Sequence, residues 1–88
     1  MKKVILDGKN ISDKTSLHDT LATLLSFPEY YGKNLDALHD CLTSINEETE
    51  IEVINKDALE EAIGKYSFSL MKVLKESAEE NKNLKITF

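Results

Sequence analysis

Asp36, His39, Asp40 and Thr43 stand at i, i+3, i+4 and i+7. On a helix these positions share one face. Three readings fit the set. Two carboxylates on one face can receive a cationic partner. Asp and His ligands at this spacing can converge on a metal ion. The set can also be a plain solvated face. The metal reading lacks a second ligand group elsewhere in the chain, and three ligands on one helical turn rarely suffice, so no metal and no cofactor is expected. Asp36 has a structural explanation, because a carboxylate in the first helical turn meets the helix dipole favourably. Asp40 has none: aspartate is a poor residue in mid-helix, and like charges at i, i+4 repel by roughly 0.2–0.5 kcal/mol.

Other residues that could do chemistry lack partners. Cys41 lies about 200° around the helix from His39, so the two cannot form a nucleophile–base pair. It sits beside a leucine stripe and reads as a small core residue. His18 follows Leu17 and reads as a packed or capping histidine. No Gly-rich phosphate loop, Gly-x-Ser-x-Gly turn or His-Glu-x-x-His pattern occurs, and no catalytic set emerges. The chain reads as a binding protein rather than an enzyme. Tyr30, Tyr31 and Gly32 form the remaining cluster. Adjacent tyrosines before an acidic helix suit an interface, since tyrosine offers large area and a polar tip. One ring is expected to pack inward and the other to face out.

The elements that must position these groups can be read from periodicity. Lys3–Leu6 is a short apolar strand closed by a turn at Asp7-Gly8. Ser12 or Asp13 caps a helix carrying Leu17, Leu21, Leu24 and Leu25, and Pro28 ends it. Asn34 caps a second helix with Leu35, Leu38, Leu42 and Ile45 on its apolar side. Residues from about Glu50 to Ile54 alternate as a strand. Asp57–Ile63 is a short helix that Gly64 terminates. Ser67 caps a further helix with Leu70, Val73, Leu74 and Ala78 facing inward, broken by Asn81 and Asn83. Leu84, Ile86 and Phe88 alternate with Lys85 and Thr87 as a last strand. The order β-α-α-β-α-α-β puts helical crossovers between strands, which must then pair in parallel. The expected fold is a single small α/β domain over residues 1–88, with helices on a three-stranded parallel sheet.

Composition narrows the function. The 88 residues are 41% hydrophobic and 31% charged, ordinary for a globular domain. Net charge is −5, from 16 acids and 11 basic residues that are all lysine. The absence of arginine and the acidic balance disfavour nucleic acid and anionic membranes. Nothing approaches transmembrane length. The lone cysteine points to a reducing, cytoplasmic setting. Residues 29–50 hold Glu29, Asp36, Asp40, Glu47, Glu48 and Glu50 against Lys33 alone, so the whole net charge lies in this quarter of the chain. Such a block steers a cationic partner, although a merely soluble acidic face would look the same. Nothing demands an oligomer.

The stretches Leu17-His18-Asp19-Thr20-Leu21, Pro28-Glu29-Tyr30-Tyr31-Gly32-Lys33-Asn34-Leu35-Asp36-Ala37-Leu38 and Asp40-Cys41-Leu42-Thr43 closely resemble the barstar family, intracellular inhibitors of the ribonuclease barnase. Residues 49–69 match little, and the last third matches through Val73-Leu74-Lys75-Glu76. The resemblance implies a barstar-like fold and a one-to-one protein inhibitor of a secreted, guanyl-specific ribonuclease. It implies that Asp40 enters the nuclease's cationic cleft in place of an RNA phosphate, with Asp36 as a second acidic contact. Tyr30, Gly32, Asn34, Leu35, His39, Thr43, Ser44 and Glu76 fall at further contact positions. The chain departs from the family where His39 and Ile45 replace tryptophans and Ser44 replaces a glycine, so the electrostatic part of the interface is kept and the aromatic part is not. An immunity or antitoxin-like module for a different basic partner is the alternative.

Overall fold

The computed structural model describes residues 1–88. The chain runs β1 (Lys2–Asp7), a 3-10 turn (Gly8–Asn10), α1 (Lys14–Leu25), α2 (Leu35–Thr43), β2 (Thr49–Ile54), α3 (Lys56–Ile63), α4 (Tyr66–Glu80) and β3 (Leu84–Thr87). The three strands form one parallel sheet in the order β1-β2-β3. Val4 pairs with Ile51, and Ile51 with Ile86. This is the β-α-α-β-α-α-β domain expected from the periodicity.

The alternation along each strand explains why one sheet face is covered. Val4 and Leu6 of β1, Ile51 and Val53 of β2 and Leu84 of β3 are buried. Lys3, Ile5 and Lys85 lie exposed on the other side, with Glu50 and Glu52 half-buried beside them. The helices supply Leu17, Leu21, Leu38, Leu42, Leu59, Leu70 and Leu74, all fully buried. Each contributes roughly 1.5–3 kcal/mol when withdrawn from water. Val73 and Ala78 sit at the margin, half-buried against this core.

Caps fix the helix ends. The Asp13 carboxylate accepts from the Ser16 amide at 2.7 Å, and the Asn34 side-chain oxygen accepts from the Ala37 amide at 2.7 Å. Ser26 closes α1 in the left-handed region at φ 56°, two residues before Pro28. The left-handed conformation costs a non-glycine residue roughly 1–2 kcal/mol, but a single residue in it is a common way to end a helix.

Several boundaries differ from the sequence expectation. Asp7 is the last residue of β1, and a 3-10 turn follows it. Gly8 is required there: a Cβ would lie 2.2 Å from the Asn55 carbonyl oxygen and 2.7 Å from the Leu59 nitrogen. The α3 helix begins at Lys56, after Asn55 turns at φ 53° and donates its side-chain amide to Asp7 Oδ1 at 2.8 Å. That bond, with the Lys9 amide, holds the Asp7 carboxyl below its ordinary range. Ser67 is not a cap: α4 starts at Tyr66, and the Ser67 hydroxyl donates back to the Gly64 carbonyl at 2.8 Å. Phe88 lies beyond the end of β3.

Candidate functional site

Two buried rings, His18 and Tyr31, and the half-buried Tyr66 anchor the loop that precedes α2. Tyr31 is 7% exposed and Tyr30 is 89% exposed, so the pair divides as expected, one inward and one out. Tyr31 Oη lies 2.6 Å from His18 Nδ1, and Tyr66 Oη lies 2.8 Å from His18 Nε2. A neutral imidazole serves both phenols, with one ring nitrogen donating and the other accepting. Burial pushes the His18 pKa down, which favours this neutral form, and pushes the Tyr31 and Tyr66 phenols up. Phe27 packs on Tyr31 with ring centroids 4.9 Å apart. His18 is thus the packed histidine foreseen from its place beside Leu17. It ties α1 to the loop and to α4, and Tyr30 stays outward.

The loop then turns through Gly32 and Lys33. Lys33 takes φ 54°, and its ammonium reaches Asp19 of α1 at 2.8 Å. The only lysine of the acidic quarter is therefore turned back toward α1. The Asn34 side chain accepts from the third helical amide and donates to the Gly32 carbonyl at 3.3 Å. Leu35 opens α2 half-buried against the core, and Asp36 projects into solvent.

The face of α2 is divided rather than uniform. Asp40 is fully outward: its side chain is 87% exposed, and its nearest cationic group is His39 Nδ1 at 4.0 Å. Asp36 has no ion-pair partner. His39 and Thr43 are half-buried, because α4 packs alongside α2. His39 Nε2 lies 2.7 Å from Glu80 Oε2. That hydrogen bond raises the His39 pKa, with Asp40 and Glu76 adding to it through their charge. The Thr43 hydroxyl donates to the His39 carbonyl at 2.8 Å, and the Ser44 hydroxyl to the Asp40 carbonyl at 2.7 Å. Glu76 stands exposed on α4. No three His, Cys, Asp or Glu side chains are grouped so as to hold a metal ion.

A hollow of about 390 Å³ opens beside Asp40. Phe27, Pro28 and Tyr30 line one side, and Cys41, Ser44 and Ile45 the other. Cys41 is half-buried there, its thiol pKa raised by burial and then by Asp40, so it sits at the edge of the core rather than inside it. An exposed carboxylate thus stands at the mouth of an apolar recess.

One positioning residue was missed. Asn81, read from the sequence as a helix breaker, does end α4. It also donates its side-chain amide to the Leu42 and Ile45 carbonyls, both at 2.9 Å. Leu42 O also accepts from the Ile45 amide at 3.4 Å, so the side chain of Asn81 reinforces the turn that closes α2. A buried asparagine just past a helix carries no local signal of a partner 36 to 39 residues away.

Fold and site together define a class: a small α/β domain presenting an acidic helix without lysine partners beside an outward tyrosine. A family model described as "Barstar (barnase inhibitor)" matches residues 1–88. This chain belongs to the barstar family. A relative from Bacillus subtilis (strain 168), named "Putative ribonuclease inhibitor YrdF", is 38% identical over 84 residues, covering 94% of this chain and 92% of that protein.

Proposed function

We propose that this protein inhibits a secreted, guanyl-specific ribonuclease of the barnase kind, one to one, by inserting the α2 face into the enzyme's cationic cleft. The observation that carries the reading is Asp40, an 87% exposed mid-helix carboxylate with no lysine opposite it. The B. subtilis relative's name and the barstar family model both point the same way. In the complex the Asp40 carboxylate takes the position of an RNA phosphate and accepts charge-assisted hydrogen bonds from the enzyme's Arg and His groups. Asp36 and Glu76 extend the negative field, and Tyr30, Gly32, Asn34, Leu35, His39, Thr43 and Ser44 complete the contact surface. The inhibitor acts as a monomer in the cytoplasm, guarding the producing cell from its own nuclease.

The test is titration of a barnase-like ribonuclease with this protein while RNA cleavage is followed. The expected result is a linear loss of cleavage that reaches zero at a one-to-one ratio. Full cleavage with micromolar protein present would contradict the reading. It would favour a different basic partner for the same face, a choice that His39 and Ile45, standing where the family carries tryptophans, make specific to this chain.

A further inference from the structure

His39 occupies the most charged neighbourhood on the binding face. It precedes Asp40 on α2, and its Nε2 is held by Glu80 of α4 at 2.7 Å, with Nδ1 4.0 Å from Asp40 Oδ1. Glu76 of α4 adds a third negative charge nearby. No lysine from either helix makes an ion pair with these carboxylates. The imidazole side chain remains 36% exposed, so a docked partner meets its edge. A protonated ring is well served here, since it donates to Glu80 and neutralises one charge of the three. The same proton is unwelcome once a cationic surface arrives, because two positive groups then compete for one set of carboxylates.

We propose that His39 is the residue that ties the inhibitor's affinity to pH: its imidazolium, latched to Glu80, gives up its proton when a cationic surface docks on α2. This rests on the inhibitor reading above. Protonated, His39 lowers the local balance of Asp40, Glu76 and Glu80 from three negative charges to two; neutral, it leaves all three for the partner. Docking therefore releases a proton, and binding tightens as pH rises until His39 is neutral in the free protein. The Glu80 hydrogen bond raises the His39 pKa, so this transition lies above the ordinary histidine value of about 6.5. Arginine contacts of the partner do not titrate and contribute none of this pH dependence.

The experiment compares inhibition of barnase by the wild type, His39→Gln and Glu80→Gln from pH 5.5 to 8. Titration of the enzyme's own histidines affects all three alike and cancels in the ratios. The expected result is that the wild type weakens relative to His39→Gln by about tenfold per pH unit below the His39 midpoint, the linkage of one proton. Glu80→Gln should keep the pH dependence but move its midpoint to lower pH, which loss of a merely structural contact would not do. The His39 ring resonance in the free proteins reports the same midpoint shift by NMR. Parallel pH curves for wild type and His39→Gln, with inhibition intact, would overturn this inference alone. A His39 midpoint unmoved by Glu80→Gln would overturn the latch. Absence of inhibition by all three at every pH would overturn the inhibitor reading and this inference with it.

Discussion

The open face of the sheet and the outer face of α2 both carry acids, but they treat them differently. On the sheet, Glu52 pairs with Lys3 at 3.4 Å, and Glu50 accepts from the Thr87 hydroxyl at 2.8 Å with Lys85 its cross-strand neighbour. Charge there is answered within the fold. On α2, Asp36 and Asp40 have no lysine partner, and the nearest candidate, Lys33, is bound to Asp19 instead. The difference teaches where to look for a partner. A fold that balances its acids on one surface and leaves them unbalanced on another is stabilised by the first and available for binding through the second. Mutual repulsion along α2 costs a few tenths of a kcal/mol, and a cationic partner would relieve it.

The comparison can be broken or sharpened by substitution. The largest effect is expected from Asp40→Ala. In the proposed complex this would leave the enzyme's cations without a partner and should cost about 3–5 kcal/mol of binding, more than a hundredfold in Kd. The melting temperature of the free inhibitor should stay the same or rise slightly, and destabilisation would show that Asp40 belongs to the fold. Next comes Asn81→Ala. It removes the side-chain donor shared by the Leu42 and Ile45 carbonyls and should lower stability by about 1–3 kcal/mol in a urea melt, with α2 loosening at its end.

A smaller effect should appear on acidification. His18 is favoured neutral in the fold, so its contribution is fully present above the ordinary histidine value of about 6.5. It is lost as pH falls through the depressed folded value. His39 has the opposite sign: its pairing with Glu80 contributes below about 6.5 and fades as pH rises through its elevated value. Urea melts across pH 4 to 8 on His18→Gln and His39→Gln should separate the two slopes, and slopes of the same sign would contradict the assignment. The smallest change belongs to the sheet face. Glu52→Gln removes a partly exposed surface ion pair and should shift stability by less than about 1 kcal/mol, with the ribonuclease Kd unchanged.

Much of this architecture was legible in the sequence because the informative signals are local. Asn34 and Asp13 are caps, Pro28 is a stop, and Leu38 and Leu42 mark the buried side of α2. Asp40 stood out because aspartate has no intrinsic reason to sit in mid-helix. What was not legible depends on contacts distant in the chain. Glu80 reaches His39 from 41 residues away, and Asn81 reaches the end of α2 across nearly the same span. The start of α4 was misplaced because Ser67 has the residue type of a cap, whereas the tight turn at Gly64-Lys65 begins the helix earlier and draws the serine hydroxyl backward. The division of the α2 face, with Asp36 and Asp40 free and His39 and Thr43 half covered, follows from α4 packing and not from spacing.

The most direct test of the central claim is the ionic-strength dependence of association with a barnase-like ribonuclease. Three proteins suffice: wild type, Asp36→Asn/Asp40→Asn and Glu50→Gln/Glu52→Gln. Both variants remove two negative charges, one pair from each face. Attraction through exposed charge is screened over about 10 Å at 0.1 M salt, and steering by an acidic face raises association rates. The account predicts that the wild type associates rapidly at low salt and slows steeply as salt is added. The sheet variant should follow it closely, and the α2 variant should start slow and respond weakly. Equal salt dependence in the two variants would contradict the claim, because binding would then follow total charge rather than the unbalanced face of α2.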